Sequence, residues 1–131
     1  LEARDFTPWL ATEENLALLA ETLGLGELQL QGTELPVGNF NLDILAEDIE
    51  GHIVLIENQC GPTDHNHLGQ ILTYLAGQSG NATVIWIAER VREEHRAAID
   101  WLNASTREEF DFLRNSGRSA ENRQLRTCTS R

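Results

Sequence analysis

The sequence predicts an α/β domain, a mixed sheet flanked by helices, in the order α-β-β-β-α-β-α. Three observations carry this. Apolar residues recur at helical spacing in three stretches. Two apolar runs, Phe40 to Ala46 and His52 to Gln59, are joined by a hairpin-like turn at Asp48 to Gly51. A strand, a helix and a short buried strand then follow one another between His52 and Ala88, the spacing of a parallel crossover unit.

The elements follow in order. Thr7-Pro8 fits a helix cap with proline at the first helical position. Trp9, Leu16, Leu19, Ala20 and Leu23 recur at helical spacing, and Gly24 fits the stop, so a first helix is expected over 8–23. Leu28 to Gln31 alternates with period two, as a half-buried strand does. Thr33 to Asn39 contains Pro36 and Gly38 and reads as a turn. The runs Phe40 to Ala46 and His52 to Gln59 complete an antiparallel meander. The second is apolar on both faces, as a central strand should be.

Cys60-Gly61-Pro62 breaks that strand, and Thr63 or Asp64 can cap a helix over 64–78. Ala82 to Ala88 is a short buried strand. Arg92 to Asn103 is a helix whose expected core stripe is Ala97, Ala98, Trp101 and Leu102. Phe110 to Leu113 is a last strand or a helical turn. From Asn115 the chain is polar and aperiodic, so a domain over 1–113 and a disordered tail over 114–131 are expected.

The 131 residues suit one domain, and 40% hydrophobic content suffices for a core. No apolar run has membrane-spanning length and no signal peptide is legible, which predicts a cytoplasmic protein without membrane contact. Methionine is absent, so residue 1 is not expected to be the natural start. Cys60 and Cys128 are too few for a disulfide framework, and no bridge between them is expected. Net charge is −11, and every basic residue is arginine. Residues 1–113 hold five arginines against twenty acids, whereas 114–131 hold five against one. A domain that grips a polyanion by counterion release should be basic. The acidic balance argues against tight, sequence-independent nucleic-acid binding, but not against cation-dependent engagement.

Asp43 and Glu57 carry the chemistry. Each acid lies in or at the end of an aliphatic run, and burying an ionised carboxylate there costs several kcal/mol unless compensated. Few basic residues are near in sequence, so a divalent cation is the simplest compensation. Glu57 and Gln59 share one strand face, roughly 7 Å apart by the strand rise. Asp43 can lie opposite Glu57 if the two strands pair. Two carboxylates, a backbone carbonyl and waters suit Mg²⁺, and such an ion activates water and offsets charge on a phosphodiester. Single acids at strand ends are also commonly just solvated. His67, Gln70 and Tyr74 share one helix face at i, i+3 and i+7, beside the buried face of Leu68, Ile71, Leu72 and Leu75. For His65, capping or substrate contact is expected; for His67, a site-facing or solvated position. His52 and His95 read as surface residues. Arg90, Arg92 and Arg96, interleaved with acids, read as a solvated, salt-bridged surface.

Asp43, then Glu57-Asn58-Gln59, then Gln70-Ile71-Leu72-Thr73-Tyr74 together resemble the PD-(D/E)XK, or restriction-endonuclease-like, nuclease superfamily. The Gln-x-x-x-Tyr helix resembles the signature of its RecB-like branch. The stretch from Glu57 to Tyr74 is also similar to a group of uncharacterised bacterial proteins assigned there. The resemblance covers about residues 8–103. It implies a restriction-endonuclease-like core and Mg²⁺- or Mn²⁺-dependent hydrolysis of DNA phosphodiesters. It further implies Asp43 and Glu57 as metal ligands, Gln59 at the lysine position, and Gln70 beside them in the catalytic set. Tyr74, His65 and Glu14 (or Glu13) would approach substrate. Superfamily members often dimerise, so a homodimer is a further expectation, with Trp9, Trp86 or Trp101 as interface candidates. Two departures stand out. Leu42 occupies a position that is often proline, and Gln59 replaces the lysine. Glutamine can orient a water or a phosphate oxygen but cannot act as a base. The alternative is therefore an inactive nuclease-fold module that binds protein or nucleic acid.

Overall fold

The computed structural model describes residues 3–78, 81–105 and 109–114, with backbone alone for 3–6 and 109–114. The elements are α1 (Ala3–Leu10), α2 (Glu13–Thr22), β1 (Gln29–Val37), β2 (Phe40–Glu47), β3 (Ile53–Pro62), α3 (His65–Ala76), β4 (Ala82–Arg90), α4 (Glu93–Ser105) and β5 (Glu109–Arg114). The five strands form one sheet in the order β1-β2-β3-β4-β5. β1, β2 and β3 pair antiparallel, while β3, β4 and β5 pair parallel. This is the mixed α/β architecture the sequence predicts.

Both sheet faces are covered. Leu10 of α1 and Leu16 and Leu19 of α2 pack on Ile44, Ala46, Val54, Ile56, Ile85 and Ile87. Ile71 and Leu75 of α3 and Ile99 of α4 pack on Leu55, Val84, Trp86 and Ala88 of the other face. β4 is consequently buried from Val84 to Ala88, as a parallel strand between two helical layers must be. Among the described residues no helix is long and apolar enough to cross a membrane.

Several expectations are corrected. The single helix over 8–23 is two helices, because Thr12 adopts extended backbone and caps α2. Its hydroxyl donates to the Trp9 carbonyl at 3.0 Å, and the Asn15 amide donates to the same carbonyl at 2.8 Å. The chain thus bends without losing its apolar face. Pro8 lies inside α1 rather than at its first position. The turn expected over Thr33 to Asn39 is mostly strand. Pro36 is tolerated there because β1 is an edge strand, where a missing N–H costs no ladder bond. The reversal is confined to Gly38-Asn39, with Gly38 at φ +61°, a left-handed conformation glycine adopts without steric cost.

In α4 the expected stripe holds only in part: Leu102 packs on the core and Ala98 is half-buried, but Trp101 is 67% exposed and Ala97 is exposed, while His95 and Ile99 are buried. His95, expected at the surface, is 2% exposed; reading histidine as polar hid the true packing face. Trp86 is 1% exposed and so offers no surface to a second subunit. Cys60 is disulfide-bonded, against the expectation that no bridge forms, and its partner lies outside the described residues. Phe110 to Leu113, left between strand and helical turn, lies within β5. That strand runs one residue past the predicted domain end, and the tail expected from Asn115 lies outside the described residues.

Candidate functional site

The β2–β3 ladder runs from Glu47↔Ile53 to Ile44↔Ile56. One step further, Asp43 and Glu57 would be the next cross-strand pair, and such partners lie on one face of the sheet. The regular ladder stops there. Instead, Asp43 Oδ2 accepts the Asn58 backbone N–H at 2.7 Å. The two carboxyls therefore meet on the α3 side of the sheet, where the strands part.

Glu57 is 2% exposed, and its Oε1 is buried without a hydrogen-bond partner. Burial, and then the Asp43 charge, push its carboxyl up to about 9. Burial also raises the Asp43 carboxyl, opposed by the Asn58 N–H, by contact with Glu57 and by the His67 imidazole. Two acids this close cannot both ionise cheaply, so without a cation they share a proton. Glu34 lies on β1 between the residues paired with Ile44 and Leu42; burial and then the Asp43 charge raise its carboxyl, and its own charge adds to what raises Glu57. Glu34 holds a left-handed φ of +51°, uncommon for a non-glycine residue. Sequence reading missed Glu34 because it sits in the stretch taken for a turn.

The other predicted residues divide. Gln59 is 6% exposed, on the Glu57 face, but its amide is committed. Nε2 donates to the Pro62 carbonyl at 2.7 Å and to Asp64 Oδ2 at 2.8 Å, and Oε1 accepts the Trp86 indole N–H at 2.9 Å. Neither amide proton is left for a water, contrary to the role expected of it. Gln70 and Tyr74 are half-buried on α3; Tyr74 packs on the Leu55–Trp86 cluster, and burial raises its hydroxyl. Glu14 is exposed in the first turn of α2. That helix packs on the opposite sheet face, so Glu14 is not brought to the acid pair.

Asp64, not Thr63, caps α3, accepting the His67 backbone N–H at 2.8 Å. His65 Nδ1 lies 2.7 Å from His95 Nε2, and His95 Nδ1 lies 2.6 Å from Thr63 Oγ1. His65 is thus tied to α4, where Arg92 donates from its backbone N–H to Thr63 Oγ1 and from Nε to the Thr63 carbonyl. These bonds close the β3–α3 and β4–α4 corners together. Gly61, buried at φ +117° where the β3–β4 register shifts, makes the bend possible.

Among the described residues, no three His, Cys, Asp or Glu side chains gather as a ready-made metal centre. The chemistry of Asp43 and Glu57 nevertheless fits a hard cation: two oxygen donors, one of them orphaned, in a site of excess negative charge. A cavity of about 1000 Å³ opens elsewhere, between α2 and the turn after β2, lined by Leu16, Ala20, Leu28 and Ile49 among others. Neither Asp43 nor Glu57 lines it.

An antiparallel meander continued by parallel crossovers, with helices on both sheet faces, is a restriction-endonuclease-like fold. Solved structures bear this out at the level of fold. The chain is similar to a repair endonuclease from Pyrococcus abyssi, with 20% identity over 79% of this chain and 47% of that one, at a TM-score of 0.57. It is also similar to EndoMS in apo form, with 20% identity over 79% and 46% of the two chains, at a TM-score of 0.52. The chain spans under half the length of these structures. No family model and no curated protein matches it.

Proposed function

We propose that this protein is a metal-dependent nuclease that hydrolyses phosphodiesters in DNA. The observation that carries the reading is the buried Asp43–Glu57 pair with its orphaned Oε1. A folded protein retains such a destabilising arrangement most readily where a ligand relieves it. The fold likeness to a protein described as a repair endonuclease supports DNA as substrate.

In this reading Asp43 and Glu57 hold Mg²⁺ or Mn²⁺. Bound there, the ion would lower the pKa of a water and offset charge developing on the phosphate. Asp43 is pinned by the Asn58 N–H, so the pair is organised before any ion arrives. In the same reading Gln70 and Tyr74 of α3 would line the path of the substrate backbone, and His65, at the start of that helix, would approach the substrate. The acidic surface then makes DNA association depend on the ion rather than on basic side chains. Two chains together as a homodimer would suit a duplex, with the exposed Trp101 as the aromatic residue available to an interface.

A second reading, an inactive module that binds protein or nucleic acid, is favoured by one observation: the committed amide of Gln59 at the lysine position. Calorimetry with Mg²⁺ and Mn²⁺ on wild type and Glu57→Ala, followed by plasmid and branched-DNA cleavage, separates the two. Binding lost in the variant, with wild-type cleavage, supports the nuclease. Silence at millimolar metal supports the module.

A further inference from the structure

The nuclease reading leaves a gap: with Gln59 engaged and lysine absent from the whole chain, something else must receive the proton of the attacking water. We infer that His67, held by Asp64, is that acceptor, and that Gln59 is a positioning residue which builds the pair. The inference rests on the nuclease reading and deepens it.

The hydrogen bonds fix the orientation of each group. Asp64 Oδ1 lies 2.8 Å from the His67 backbone N and 2.9 Å from its ring Nδ1. A carboxylate only accepts, and the hydrogen bonds it receives, chiefly the His67 backbone N–H, hold Asp64 below the usual carboxylate range against the cost of burial. His67 Nδ1 therefore carries the proton. In the neutral ring Nε2 is then the open lone pair, the arrangement by which a carboxylate orients a histidine base. Gln59, two residues from Glu57 and so on the same face of β3, bonds Asp64, and Asp64 bonds the ring, so His67 stands on the sheet face that carries the acid pair.

Gln59 is what fixes Asp64. The Trp86 indole can only donate, so Oε1 of Gln59 must face it. Nε2 is thereby turned to Pro62 and to Asp64 Oδ2. The line Trp86–Gln59–Asp64–His67 runs from the buried centre of β4 to the first turn of α3. A lysine at position 59 could not accept from Trp86 and would break this line.

The step balances. As the water oxygen forms its bond to phosphorus, His67 Nε2 takes one water proton. The bond from phosphorus to the leaving oxygen breaks, that oxygen takes a proton from solvent, and His67 returns its proton to solvent.

Nitrogen NMR of the His67 ring in the full chain tests the bracket without any catalysis. Wild type should show the Nδ1–H form. Gln59→Ala and Asp64→Asn should restore the Nε2–H form that a free imidazole prefers; two variants are used because either alone could impair folding. Mn²⁺ calorimetry on His67→Ala should match wild type, since His67 is no ligand. On plasmid DNA with Mn²⁺, His67→Ala should lower kcat by about 100-fold or more with little change in KM, and added imidazole should recover part of the rate. Nε2–H in wild type, no response to either bracket variant, loss of Mn²⁺ binding in His67→Ala, or a Gln59→Lys variant that cleaves faster would each overturn the inference. A wild type with the Nδ1–H form that binds no Mn²⁺ overturns the nuclease reading itself, and the catalytic role with it.

Discussion

The two halves of β3 obey different rules. From Ile53 to Ile56 the strand is flanked on both sides, by β2 and β4, and its side chains enter the two apolar clusters. From Glu57 to Pro62 it has lost β2, keeps only β4, and carries Glu57, Asn58 and Gln59. The depth barely changes: Ile56 is 0% exposed and Glu57 is 2%. What changes is the neighbour. Where β2 leaves, space opens for Asp43 to turn its carboxyl onto the Asn58 N–H. The acids gather where the β2 ladder has ended on one side of β3 while β4 still flanks the other.

The sharpest way to break that comparison is at Glu57. Glu57→Ala should abolish Mg²⁺ and Mn²⁺ binding and any DNA cleavage, read by calorimetry and a plasmid assay. The same change should leave thermal stability intact or raised, because it removes a buried acid rather than a packing contact. One residue earlier the outcome should invert. Ile56→Ala should cost about 2–5 kcal/mol in urea unfolding, and whatever remains folded should still bind the ion.

The acid pair should also write itself into the pH dependence of the metal-free protein. The Glu57 carboxyl is raised to about 9 in the fold from an ordinary value of 4.5. Between those values the folded state holds a proton the unfolded chain has released. Stability should therefore fall as pH rises through that window, by up to about 1.4 kcal/mol per unit. Urea titrations of wild type and Glu57→Gln should show the slope flattening in the variant. A wild type whose stability rises with pH over this range would mean the carboxyl is not raised.

The smallest effect belongs to the corner beyond the site. Burial, and then His65, hold the His95 imidazole below its usual value of 6.5. Around it stand His65 and Asp64 from the α3 end and Arg92 and Glu94 from the start of α4. His95 contributes stability above the unfolded value, and that contribution is lost as pH falls from about 6.5 toward the folded value. His95→Gln should remove this limb, measured by unfolding between pH 7 and 5.

Much of this was legible in the chain. The alternation at Phe40 to Ala46 and the doubly apolar run before Glu57 are direct records of which faces are covered, and both strands fall where expected. The pairing of Asp43 with Glu57 was readable as a possibility, since a tight turn at Asp48 to Gly51 fixes the register. Other features were not. Pro36 looks like a turn unless one knows its strand is at the edge. Thr12 looks like one more helical residue unless one sees it capping. His95 looks solvated unless Thr63 and His65 are known to meet its two ring nitrogens.

The sequence alone determined the α/β order, the central strands and the two acids of the candidate site, because periodicity and burial of charge are local signals carried by neighbouring residues. Only the tertiary structure decided what Gln59 does, that Glu34 crowds the acid pair, and that Asp64 orients His67. Those facts depend on groups from β1, β4 and α3 converging in space, and a hydrogen bond between distant residues leaves no mark on the spacing of either one.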